Sequence, residues 1–200
     1  MNIRTHSALV RTLAPACAAA MFASSAHAGF HLWTIQELFT NLDGTQQFIE
    51  LSAPAAPNGN SQQFVGGKTI QVKDQSNTTT HTFSIPSNLG SGSTGGRTFL
   101  LATGGLQAAG APAPDYTIPN GFIFAAGGTI TFFGTPSPVT YTALPTDGFT
   151  SHAVPGDTSQ VNSPKNFSNQ TGSVPEPTTW GLIGLSGFGL CMLFRRRATA

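Results

Sequence analysis

The stretch HLWTIQELFTNLDGTQQFIELSAP, residues 31–54, decides how the chain is read. Its first part alternates in steps of two. Trp33, Ile35, Glu37 and Phe39 fall on one side, and Leu32, Thr34, Gln36 and Leu38 on the other. A period of two belongs to a strand rather than a helix. Asp43-Gly44 follows, a pair suited to a tight turn because glycine accepts the positive φ that such turns demand. QQFIELSAP then predicts a second strand, closed by the Pro- and Asn-Gly-rich PAAPNGNS.

The same grammar repeats downstream. FVGGKTIQVKD (64–74) sets Ile70 and Val72 in step, with the glycines and Lys68 marking a turn or bulge. HTFSIP (81–86) puts Phe83 and Ile85 in step, and RTFLLAT (97–103) is more uniformly apolar and fits a buried strand. GFIFAAGGTITFFG (121–134) predicts a hairpin, with Phe122 and Phe124 in one arm, a turn at Gly127-Gly128, and Ile130 and Phe132 in the other. Some seven strands between turn signals predict an all-β fold over 29–144, a two-sheet sandwich. Its expected core is phenylalanine: Phe39, Phe48, Phe64, Phe83, Phe99, Phe122, Phe124 and Phe132. Residues 145–174 change character, being rich in Pro, Ser, Thr, Asn and Gly, and read as a flexible spacer.

Charge sharpens the organisation. Charged residues make up 8% of the chain, against about 25% in an average soluble protein. Arg4, Arg11, Arg195, Arg196 and Arg197 sit at the ends. The body holds Lys68, Lys73, Arg97 and Lys165 against Glu37, Asp43, Glu50, Asp74, Asp115, Asp147 and Asp157, and is mildly acidic. It offers no basic face to a phosphate backbone, which argues against a nucleic-acid partner.

Both ends read as addresses. Residues 1–28 have a signal peptide's form: Arg4 and Arg11 ahead of an apolar run at 13–23, then Ala26-His27-Ala28, the small-x-small pattern that signal peptidase cuts. Mature protein is expected to begin at Gly29. Residues 175–200 open with Pro175, Glu176 and Pro177. An uncharged apolar run follows at 178–194, then Arg195, Arg196 and Arg197. As a helix the run would span about 25 Å, close to a bilayer core. The arginines would stay on the cytoplasmic side as a charge anchor, leaving the body outside the inner membrane. The two cysteines, Cys17 and Cys191, lie in these ends, so a processed body would hold no disulfide.

The triplet, the short apolar run and the terminal arginines together resemble the PEP-CTERM sorting signal of exported bacterial proteins. The resemblance implies that an exosortase, a membrane cysteine protease, recognises Pro175, Glu176 and Pro177 and cuts nearby. It also implies a producer of extracellular polysaccharide, with release or attachment at the cell surface. In the body, WTIQELFTNLDGTQQFIELSAP, FVGGKTIQV, HTFSIPSNLGSGSTGGRTFLLAT and PNGFIFAAGGTITFFG resemble a lamin-tail-type domain. That resemblance implies an immunoglobulin-like β-sandwich serving as a binding or structural module, with no shared catalytic set.

A search for chemistry predicts no catalytic, metal or cofactor site. His31, His81 and His152 are the histidines beyond residue 28, and none is paired at a metal-ligand spacing. No G-x-S-x-G elbow occurs, and GSGSTGG at 90–96 lacks the P-loop lysine. NLDGT at 41–45 lacks the further carboxylates of a calcium loop and reads as a turn. The leading expectation is an exported, non-enzymatic surface or matrix protein associated with extracellular polysaccharide. An alternative is a carbohydrate-binding module stacking sugars on Tyr116, Tyr141 and Phe133. A third reading is a secreted hydrolase using Glu37 and Glu50, which neighbouring strands would bring close.

Overall fold

The structure is a computed structural model and describes residues 29–133 and 138–174. Among the described residues ten strands and one short helix run in order: β1 (Thr34–Thr40), β2 (Gln47–Ser52), β3 (Thr69–Asp74), β4 (Thr80–Ser84), β5 (Thr98–Ala102), α1 (Gly104–Ala108), β6 (Tyr116–Thr117), β7 (Gly128–Phe132), β8 (Val139–Tyr141), β9 (Thr150–Ala153) and β10 (Thr158–Val161). One sheet has the order β10-β9-β1-β2-β5-β6 and the other β4-β3-β7-β8. Every pairing is antiparallel except β5 with β6. The all-β reading holds.

The two sheets share one core. Ile35, Leu38, Ile49, Leu51, Phe99 and Leu101 come from the first sheet, and Ile70, Val72, Ile130, Phe132 and Tyr141 from the second. Phe99 bridges them: its ring sits edge-on to Trp33 at 4.7 Å and to Phe132 at 6.1 Å. Such edge-to-face pairs suit the aromatic quadrupole. The outer face of the first sheet carries a second cluster of Phe39, Phe48, Leu100, Ala102, Leu106, Ala111 and Val174. This explains why β2 and β5 are apolar on both sides.

Strict alternation in β1 fails at one residue. The register with β2 shifts between Ile35 and Glu37, a bulge that leaves Gln36 over. One extra residue turns the pleat by one position, so every later side chain changes face. Trp33, Ile35 and Leu38 therefore share the inter-sheet core, while Phe39 joins the outer cluster and Glu37 the outer face.

The expected hairpin at 121–134 does not form. Residues 118–127 instead carry the chain from the first sheet to the second, and β7 enters between β3 and β8. Gln47 holds this crossover, its side chain donating to the Ile123 carbonyl at 2.8 Å and accepting the Ile123 N–H at 3.1 Å. Gly128 is needed for entry into the sheet, not for a turn, since a Cβ there would lie 2.0 Å from the Lys73 carbonyl oxygen. Phe122 is buried as expected, whereas Phe64 is 43% exposed beside Gly29.

The spacer reading of 145–174 is also corrected. β9 pairs with β1, β10 pairs with β9, and Phe167 and Val174 are buried. The polar composition misled because this segment is held chiefly by hydrogen bonds to buried side chains rather than by apolar area. The signal peptide at 1–28, the sorting triplet, the apolar run at 178–194 and the terminal arginines lie outside the described residues. Among the described residues no helix is long and apolar enough to cross a membrane.

Candidate functional site

The outer face of the first sheet carries a row of carboxylates. Glu37 stands on β1, and Glu50 is its register partner on β2. Asp115 immediately precedes β6 at the far side of β5. Glu37 and Glu50 are both buried. A buried carboxylate is costly unless its oxygens are hydrogen-bonded.

Each of the three acids accepts a backbone N–H from one returning segment, residues 162–174. The Ser163 N–H donates to Glu37 Oε1 at 2.9 Å, Lys165 N–H to Glu50 Oε2 at 2.7 Å, and Phe167 N–H to Asp115 Oδ2 at 2.9 Å. Donors at every second residue are what an extended chain offers along one edge. Here the side-chain oxygens of Glu37, Glu50 and Asp115 take the place of a partner strand's carbonyls. Ser163 Oγ adds a bond to Glu37 Oε2 at 3.0 Å and Ser151 Oγ one to Oε1 at 2.6 Å. Thr98 Oγ1 on β5 donates to the Lys165 carbonyl at 3.0 Å. Arg97 lies 4.9 Å over the Phe167 ring and donates to its carbonyl at 3.1 Å.

The segment then doubles back as a strap. Asn166 and Gln170 close its tip through three bonds, and Lys165 bridges Thr171. On the return leg Val174 donates its N–H to Asn162 Oδ1 at 2.8 Å and buries its side chain among Phe39, Phe48 and Leu106.

Burial pushes the Glu50 carboxyl up to about 7. The Lys165 N–H opposes this, while the neighbouring Glu37 charge adds to it. Burial likewise raises Asp115, against the N–H groups of Leu100 and Phe167. These are carboxylates dedicated to holding chain.

The remaining sequence candidates are placed differently. Tyr116 and Tyr141 are buried, with hydroxyls donating to the Ser87 carbonyl at 2.8 Å and the Phe124 carbonyl at 3.1 Å. Their ring faces are core, which removes them as sugar-stacking platforms. Phe133 is exposed. His81 Nδ1 lies 2.9 Å from the Phe122 carbonyl oxygen, and its ring stacks on Phe124 at 4.5 Å. His81 lines a cleft of about 310 Å³ with Thr80, Thr82, Pro119, Asn120, Gly121 and Phe122. His152 contacts Asp157 at 2.7 Å in the β9–β10 turn. Among the described residues no cluster of three His, Cys, Asp or Glu is placed to hold a metal. In the 41–45 turn, Asp43 Oδ1 accepts from Thr45 N–H and Oγ1 at 3.1 and 2.6 Å.

The described chain thus ends on a buried, hydrogen-bonded Val174, and the next residue is Pro175. Residues 173–197 match the PEP-CTERM protein-sorting motif. The motif implies an exported protein that exosortase sorts to the cell envelope or surface. No curated protein and no solved structure matches the chain. Ser173 and Val174 belong both to the PEP-CTERM match and to the strap. Sequence reasoning did not identify Asp115, Asn162, Ser163, Lys165, Phe167 and Val174 as one unit. The available signal was the presence of acids inside apolar strands, since buried carboxylates need donors and the Ser- and Asn-rich 162–170 stretch can supply them.

Proposed function

We propose that the chain is a non-enzymatic protein of the cell surface or extracellular matrix, delivered by exosortase and associated with extracellular polysaccharide. Signal peptidase removes residues 1–28 after Ala28. The run at 178–194 enters the membrane as a helix with Arg195, Arg196 and Arg197 on the cytoplasmic side. Exosortase then reads Pro175, Glu176 and Pro177. The body is an immunoglobulin-like sandwich of lamin-tail type that serves as the displayed module. Two facing, almost wholly antiparallel sheets favour that assignment, although the parallel β5–β6 pair departs from a simple antiparallel pattern.

The observation that carries the reading is the junction: the sorting-motif match begins at residue 173, on chain that the folded body still holds at Val174. The hydrolase reading loses support from the same geometry, because Glu37 and Glu50 are engaged by Ser151, Ser163 and Lys165 rather than flanking a cleft. The test is expression of the full chain in a polysaccharide-forming host with and without its exosortase. Mass spectrometry should find a new C-terminus near Pro177 only when the enzyme is present. An intact Ala200 in both hosts would refute the processing step. Co-sedimentation of the released body with the host's polysaccharide tests the association separately.

A further inference from the structure

The sorting motif has no slack on its upstream side. Thr171 is bridged to Lys165, Gly172 N–H reaches the Pro164 carbonyl at 3.4 Å, and Val174 is fixed by Asn162 and the outer apolar cluster. Pro175 follows Val174 directly. A cleft that reads peptide in extended form needs chain free on either side of the bond it cuts. Residues 171–174 would span about 13 Å if extended, and the fold holds Thr171, Gly172 and Val174.

We propose that the strap restrains processing: Glu37, Glu50 and Asp115 act as positioning residues that keep the chain immediately upstream of Pro175 against the body, and exosortase gains access when the strap lifts. This rests on the exosortase reading above. The three carboxylates hold the outward leg, at Ser163, Lys165 and Phe167, while the return leg is bound to that outward leg through Asn162, Pro164 and Lys165. Loosening the row therefore loosens Val174 without altering any residue of the motif. The observed rate of processing is the intrinsic rate multiplied by the fraction of chains with the strap lifted. The arrangement also links sorting to the state of the body, since the strap closes only over an assembled β1-β2-β5 face.

The experiment follows processing of the full chain by pulse-chase in cells that contain the exosortase. Asp115→Asn and Glu37→Gln each weaken a charge-assisted bond and should speed processing about tenfold. Because such variants can misfold, a second set leaves the body untouched and inserts twelve Gly/Ser residues between Val174 and Pro175. The insertion should accelerate processing to the same degree, and adding Asp115→Asn to it should bring no further gain. A purely structural role for the row predicts no effect of the insertion. Unchanged or slower processing in the insertion variant overturns the proposal. A wild-type chain that is never processed, or whose processing survives Glu176→Ala and loss of the exosortase, sinks the underlying reading and the proposal with it.

Discussion

Glu37 and Glu50 stand directly opposite each other on β1 and β2, and each accepts an N–H from the same strap, at Ser163 and Lys165. Two acids in register would repel if both were ionised. Burial first, and the neighbouring Glu37 charge to a smaller degree, raise the Glu50 carboxyl to about 7 against the Lys165 N–H.

Stability should therefore depend on pH in a definite direction. The ordinary Glu50 value of 4.5 rises to about 7 on folding, so the folded chain binds more protons than the unfolded chain between those values. The contribution is fully present below 4.5 and is lost as pH climbs through 7. Linkage puts the upper limit near about 3 kcal/mol, reduced by residual solvent contact. Asp115, also raised, adds a slope of the same sign starting at lower pH. Urea midpoints of residues 29–174 should fall across this window, and Glu50→Gln should flatten the fall. A wild-type profile already flat there would show that Glu50 titrates as an ordinary carboxyl.

Glu37 supports more of the structure than any other acid in the row. It accepts from Ser151 Oγ, Ser163 N–H and Ser163 Oγ. Glu37→Ala would leave the Ser163 N–H and Oγ without this acceptor in a buried site, and Ser151 Oγ with only the Gln160 carbonyl at 3.4 Å. The expected loss is about 3 kcal/mol, read from urea unfolding. Asp43→Ala, at an exposed turn, should shift the urea midpoint far less than Glu37→Ala does.

Residues 145–174 decide where the folding unit ends. Without them β1 loses its β9 neighbour, the three carboxylates lose their strap donors, and the outer cluster loses Val174. A fragment of 29–174 should unfold in one cooperative step on calorimetry. A fragment of 29–146 should show no such step, because buried carboxylates would then lack both water and partners. Equal cooperativity in the two fragments would restore the spacer reading.

What was legible in the sequence was whatever apolar periodicity controls. RTFLLAT reads as a buried strand and is one, and the structure buries it on both faces, with Phe99 and Leu101 facing inward and Leu100 outward. The β1–β2 hairpin was readable from its alternation and Asp43-Gly44. The strap was not, because hydrogen bonds to carboxylates leave no apolar pattern. The aromatic arm at 122–124 misled for the opposite reason: its apolar residues fill the core from a crossover whose backbone Gln47 satisfies. Tyr116 and Tyr141 carry hydroxyls that suit either a surface or a buried carbonyl. Their burial raises both phenol pKa values, a consequence of tertiary packing that spacing does not encode.

The bulge in β1 offers the sharpest test of how the outer face is built. Gln36 is the extra residue, partly exposed, with its amide donating to Thr34 Oγ1 at 2.7 Å and its carbonyl accepting from Val154 N–H at 2.6 Å. Its side chain holds nothing buried, so Gln36→Ala should change stability by no more than about 0.5 kcal/mol. Deleting Gln36 removes the surplus residue itself. Ile35 and Glu37 then become neighbours, and regular alternation keeps Ile35 and Leu38 in the inter-sheet core and Glu37 and Phe39 on the outer face. What is lost is the carbonyl that accepts the Val154 N–H, together with the local twist of the bulge. The deletion should therefore cost about 1 kcal/mol or more in urea unfolding while the near-ultraviolet circular dichroism of Trp33 stays native. A deletion variant that loses this spectrum would mean that the twist of the bulge, and not the side-chain alternation alone, is what seats Glu37 under the strap.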